Sequence, residues 1–135
     1  MQIERINPDG LFVLDAFSQV VRASGGGQIA FIAGQGAFDA SFNLVGPGDL
    51  HAQVVQALKN LRTAVEAIGG SVDQIVSTTM YVVEIDAGKV ETFGRAMAEA
   101  LDGKPFPPNA STMIGVQGLA MEGMLVEISA VAVIA

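Results

Sequence analysis

The stretch Asp49–Ile68, DLHAQVVQALKNLRTAVEAI, decides the fold class. Within it Val54, Leu58, Leu61, Val65 and Ile68 recur at spacings of 4, 3, 4 and 3, the repeat of one apolar stripe on an α-helix. Lys59, Arg62 and Glu66 fall off that stripe. Asp49 stands where a helix N-cap is needed, because its carboxylate can accept from the unpaired N–H groups of the first turn. Gly69 and Gly70 follow as a C-terminal stop. A helix with a single apolar face must bury it against other elements, and the flanking sequence reads as strands.

Upstream, Phe17–Arg22 is β-prone, Ser24–Gly27 marks a turn, and Gln28–Ala33 reads as a second strand hairpin-paired with the first. The first ten or so residues carry no clear signal. The segment from Ala37 to Gly48 is loop-like. Downstream, Ser71–Gln74 reads as a short capped turn, and Ile75–Val83 is rich in β-branched residues and reads as a strand. Ala87–Leu101 reads as a second helix with Val90, Phe93, Met97 and Leu101 on one face. Phe106–Asn109 is an extended, proline-held connector. Ser111–Val116 and Leu125–Ile134 complete the strands.

The order β-β-α-β-α-β-β predicts one mixed sheet with both helices on one face, an α/β fold in one domain over residues 1–135. The terminal strand is apolar on both faces, with Val126, Ile128, Ala130, Ala132 and Ile134 on one and Val131 and Val133 on the other. Such a strand needs cover on both sides. Two helices cover one side, so a second subunit is expected on the other.

Composition narrows the function classes. Seven Lys+Arg against fourteen Asp+Glu give a net charge of -7, and the cations are scattered along the chain. Nucleic-acid and anionic-membrane binding need clustered cations, so both are disfavoured. The absence of cysteine excludes disulfides, thiolate metal sites and a Cys nucleophile. His51 is the only histidine and lies in the first turn of the long helix, so no metal site and no cofactor are expected. Gly25–Gly27 precedes a strand rather than a helix and is not a phosphate-binding loop. Glu4, Arg5 and Asp9 precede any long apolar run, unlike a secretory signal. The run Leu125–Ala135 is about half a membrane span. A cytoplasmic protein is expected.

Glu127 is the residue most suggestive of chemistry, a carboxylate inside an otherwise apolar strand. Buried without a partner it would be costly, so such groups pair, shift their proton affinity or serve a reaction. The plainer alternative is an exposed strand-end carboxylate or one member of a structural pair.

Taken together, the blocks FSQVVRA (17–23), FIAGQ (31–35), HAQVVQALKNL (51–61), VDQIVSTT (72–79) and VEISA (126–130) stand in an order that resembles the RidA/YjgF family, also called L-PSP. The resemblance runs from about residue 16 to the end and rests on the register of the blocks, since none is diagnostic alone. It implies a chorismate-mutase-like fold and a homotrimer with small-molecule clefts between subunits. Best-known members hydrolyse reactive enamines and imines. By the same resemblance, Glu127 matches the glutamate that positions or activates water. Ala33 and Gly34 match the strand end whose glycine gives backbone contacts to ligand. Phe17 stands where a cleft aromatic, commonly Tyr, is found.

The departure lies in PNAST (108–112). Deaminating members carry an arginine just before the serine, and this chain has Ala110. That arginine grips the substrate carboxylate with two parallel hydrogen bonds, which alanine cannot supply. Ser111 and Thr112 complete the segment, Thr112 standing where a cysteine is common. The resemblance therefore implies a hydrolase or deaminase for a less anionic imine, enamine or carbonyl compound. The alternatives are a ligand-binding or regulatory trimer without turnover and, least supported by the charge, an RNA-cleaving or translation-inhibiting protein.

Overall fold

A computed structural model describes residues Met1–Ala135. The elements are β1 (Gln2–Ile6), β2 (Val20–Ser24), β3 (Gln28–Gln35), α1 (Leu50–Ala67), β4 (Ile75–Val83), α2 (Ala87–Glu99), β5 (Ala110–Val116) and β6 (Val126–Ile134). The expected order is present, with one further strand in the first ten residues.

Helix α1 forms as its sequence dictates. The Asp49 carboxylate accepts from the Ala52 N–H at 3.0 Å. At the other end Gly69 takes a left-handed φ of 84°, and the N–H groups of Gly69 and Gly70 return to the Glu66 and Val65 carbonyls. Val54, Leu58, Leu61 and Val65 are fully buried, whereas Ile68 is exposed, because it caps the helix rather than continuing it. In α2, Phe93, Ala96 and Met97 are buried, while Val90 faces outward. Both helices pack on one face of a four-stranded mixed sheet in the order β3-β6-β4-β5, in which only β4 and β5 are parallel. The core between them holds Phe93, Leu58, Leu61, Met80, Val82 and Ile128, among others.

The hairpin expected between the second and third strands is not formed. Instead β2 pairs antiparallel with β1, Glu4 opposite Arg22, in a separate two-stranded sheet. The Arg22 guanidinium donates twice to the Glu4 carboxylate, at 2.8 and 3.0 Å. The physical reason lies at the ends of this arm. Arg5 donates to the carbonyls of Pro108 and Asp73 at 2.8 and 2.9 Å, and the Ser18 N–H donates to the Asn109 carbonyl at 2.9 Å. Gly25, Gly26 and Gly27 all adopt positive φ, so the link leads from β2 into β3 without closing a ladder. Strand β3 is consequently an edge strand.

No chain element covers the sheet face opposite the helices. Phe31 is 81% exposed there and Ile29 66%. No helix is long and apolar enough to cross a membrane.

Candidate functional site

Strand alternation fixes what the open face displays. Along β6 the residues Val126, Ile128, Ala130, Ala132 and Ile134 are buried against the helices, which turns Glu127, Ser129, Val131 and Val133 to the other side. The pairing with β4 and β5 then builds three cross-strand rows: Glu127–Tyr81–Ile114, Ser129–Thr79–Thr112, and Val131–Ser77–Ala110. Phe31 of β3 extends the third row. A shallow hollow of about 170 Å³ lies among Phe31, Ser77, Thr79, Ser129 and Val131.

Beside Glu127 the β3 ladder is irregular. Ile32 pairs with Ala130 and Gln35 with Ile128, so three steps on β3 answer two on β6. That one-residue bulge, at Ala33 and Gly34, bends the strand and brings its backbone close to β6. A Cβ at Gly34 would lie 2.6 Å from Glu127 Cδ. Only glycine leaves room for the carboxylate where it stands. The Ala33 carbonyl accepts from the Gln35 side chain at 3.0 Å. On the other side of Gly34 a hollow of about 370 Å³ opens toward α1, bordered by Asp39, Asn60 and Thr63. Its wall is held by Asn60, whose amide donates to the carbonyls of Gly36 and Phe38. Asp39 is held below its ordinary proton affinity by the Asn43 N–H, helped by the Asn43 amide and the Ser41 N–H.

Glu127 has no cationic partner: the carboxylates in ion pairs are Glu4, Asp73, Glu91, Glu99 and Asp102. None of the seven Lys and Arg residues belongs to β3, β4, β5 or β6. His51 pairs with Glu99 at the seam of the two helices, away from this face. No three His, Asp or Glu side chains gather closely enough to hold a metal ion.

Within one chain the sequence-derived site residues separate into two groups. Gly34 and Glu127 touch. Ala110 and Thr112 share their face, but β4 lies between. Four residues along the strands and two strands across place Ala110 roughly 16 Å from Glu127. Ser111 points to the helix side, as alternation requires between Ala110 and Thr112. Phe17 is also on that side, in an apolar hollow of about 260 Å³ with Ser111, Leu14, Met80, Val90 and Met97. Its ring meets Phe12 edge-on at 5.9 Å. Phe17 and Ser111 therefore do not adjoin Glu127 in the same chain.

The hydroxyls of Ser77, Thr79, Tyr81 and Ser129 are not among the residues singled out from the sequence. The period-two alternation of VSTTMYVV (76–83) was their signal. Buried Gln53 is not among them either. Its amide donates to the carbonyls of Gly46 and Gly123, at 3.1 and 3.0 Å, and its oxygen accepts from the Leu125 N–H at 2.9 Å. It thus ties α1 to the turn that launches β6, two residues before Glu127.

The family model described as Endoribonuclease L-PSP matches residues 10–134. The chain belongs to the L-PSP family. Its fold is shared with a Yersinia pestis protein of unknown function, YyfB of the conserved Rid protein family, at 32% identity and a TM-score of 0.89 over 99% of this chain and 100% of that one. Rv2704 of Mycobacterium tuberculosis, from the YjgF/YER057c/UK114 family, aligns at 28% identity and a TM-score of 0.62, over 87% and 86% of the two chains. The RutC family protein PH0854 of Pyrococcus horikoshii is 31% identical over 70 residues. That alignment spans 52% of this chain and 53% of the relative. The L-PSP fold thus accounts for the sheet and the two helices.

Proposed function

We propose that this L-PSP family member is a small-molecule hydrolase acting on an uncharged imine, enamine or related carbonyl compound. It works as a homotrimer whose neighbouring copies cover the open sheet face and leave clefts at Glu127. The observation that carries this reading is the Glu127 carboxylate itself. It has no ion-pair partner, lies against the glycine of a bulge, and stands on a face otherwise lined by hydroxyls and apolar groups. A carboxylate so placed is suited to general-base work on water. Glu127 takes a proton from water as the oxygen adds to the imine carbon. It returns that proton to nitrogen to give a carbinolamine, then takes the carbinolamine's hydroxyl proton and passes it to the same nitrogen as the C–N bond breaks, leaving a carbonyl compound and an amine. The hydroxyls of Tyr81 and Ser129 are neighbours able to orient the water.

The same face explains the choice of an uncharged substrate. A 2-imino acid needs a cation for its carboxylate, and the strands of this face supply none, Ala110 included. A charge-assisted contact of that kind contributes on the order of 2–5 kcal/mol when buried. Its absence costs roughly 30-fold to several thousand-fold in rate. The dearth of cations also counts against RNA as the substrate.

The test compares wild type, Glu127→Gln, Ala110→Arg and Ala110→Arg/Glu127→Gln. Each is assayed on a neutral benzaldehyde imine and on a 2-imino acid generated by an amino acid oxidase. Wild type is expected to hydrolyse the neutral imine and to be slow on the imino acid. Ala110→Arg is expected to gain imino-acid activity, and Glu127→Gln to abolish both. Imino-acid turnover by wild type at the rate of an arginine-bearing relative would refute the substrate assignment. Activity that survives Glu127→Gln would refute the role of Glu127, and cleavage of RNA instead would refute the reading altogether.

A further inference from the structure

Two strand edges of this chain are left without a ladder partner, although the chain joins them directly. Strand β3 pairs only with β6, and β2 pairs only with β1. Three glycines with φ of 86°, 83° and 118° connect β2 to β3. An unpaired edge presents a row of N–H and C=O groups that templates another strand. Strand β3 adds exposed Ile29 and Phe31 to that edge, and β2 adds exposed Val20.

Pairing the two edges within one chain would require the arm to let go. It is fixed at the far side of the sheet by Arg5 on the Pro108 and Asp73 carbonyls and by the Ser18 N–H on Asn109. The other outer strand, β5, already has chain beside it: Ser18 bonds just ahead of it, and Ala16 and Phe17 lie along Ser111 and Met113. Strand β3 has nothing.

We infer that the β3 edge of one copy receives β2 of a second copy, so that the N-terminal arm is shared between subunits while every anchor seen within the chain stays in place. Each copy uses its β2 edge once and its β3 edge once. That is a heterologous, head-to-tail contact, which closes into a ring when the rotation allows. It extends the four-stranded sheet across the subunit boundary on the strand that carries Ala33 and Gly34. The inference rests on the homo-oligomer proposed above and not on its chemistry.

The chain has no cysteine, so introduced thiols report without background. Ala23→Cys on β2 and Ile29→Cys on β3 are made in separate chains, one of them tagged, and co-expressed. A short bismaleimide suits the purpose, because side chains on paired strands lie about 4.5–5.5 Å apart and diagonal ones about 7–8 Å. The expected result is a two-chain product in the mixture and none from either variant alone. Ser24→Cys with Gln28→Cys serves as a second pair should Ile29→Cys fail to fold. A monomeric mass in sedimentation overturns both the oligomer and the shared arm. An intact trimer in which neither pair crosslinks overturns the shared arm alone. So does efficient crosslinking within single chains that carry both thiols, because it shows the hairpin closed on itself.

Discussion

Replacing Gly34 with alanine asks whether the bulge aims the Glu127 carboxylate. The added Cβ would stand 2.6 Å from Glu127 Cδ and 2.8 Å from its Oε2, against the 3.4 Å at which ordinary van der Waals contact begins. The carboxylate must therefore withdraw by about 0.8 Å. The backbone of Gly34 is outside the left-handed region, so alanine adds no conformational strain there. The obstructing atoms are the far end of a flexible side chain, so folding stability should change by less than about 1 kcal/mol. Catalysis responds differently, since a misplacement near 1 Å can cost about 100-fold in rate. Turnover of the benzaldehyde imine and thermal unfolding are measured on the same preparations. The expected outcome is a loss of about 10- to 100-fold in kcat with an almost unchanged Tm. A variant as fast as wild type would refute the argument that the bulge sets the position of the carboxylate. A large fall in Tm would show that Gly34 is needed for folding instead.

Gln53→Leu should leave the Gly46 and Gly123 carbonyls and the Leu125 N–H without their partner, at a cost of about 2–4 kcal/mol. In a domain of this size that lowers Tm by roughly 7–14 °C in a calorimetric scan, and an unchanged Tm would show the Gln53 bonds to be dispensable. The Asp39 carboxylate, held below its ordinary value of 3.8 chiefly by the Asn43 N–H, stabilises its loop above that pH. The stabilisation is lost as pH falls further, through the depressed value. Amide exchange at Ser41 and Asn43 should therefore quicken below about pH 3.8 relative to the chemical rate. Asp39→Asn should remove that dependence. The Glu4 carboxylate is lowered by its hydrogen bonds from Arg22, so the β1–β2 pairing should weaken in the same acid direction, as read from protection of the β2 amides.

Much of the scaffold is written locally. The stripe of α1, its Asp49 cap and the glycines after it depend on neighbours a few residues away, and each forms as read except that Ile68, at the cap, turns outward. The strands β4, β5 and β6 are likewise visible in their β-branched content. What periodicity does not carry is the identity of a strand's partner. Val20–Ser24 reads as a strand wherever it pairs, and the glycine run after it suits a hairpin as well as a link. The choice against the hairpin is made by Arg5 and Ser18 reaching carbonyls about a hundred residues away, which no local pattern records. Strand β1 went unread because five residues, QIERI, two of them charged, bear too little apolar alternation. The site shows the same division. Glu127 is conspicuous among apolar neighbours, and Ser111 must face away from Ala110 and Thr112 once the strand is granted. Gln53 looks like any polar residue beside a helical stripe, since only the distant turn at Gly123–Leu125 makes it a structural tie.

The extra residue at Ala33–Gly34 works like a reading-frame shift within β3. Ahead of it, Ile29 and Phe31 stand in step with Val133 and Val131; after it, Gln35 stands in step with Ile128. Deleting one residue there would not merely shorten the loop that follows. It would restore an uninterrupted ladder with Gln35 still opposite Ile128, and move the backbone away from the carboxylate. The number of residues between Phe31 and Gly36 thus positions the carboxylate as much as the glycine at 34 does. A library that varies composition across this segment at constant length, with Gly34 kept, should retain active members, and one that removes a residue should yield folded but inactive ones.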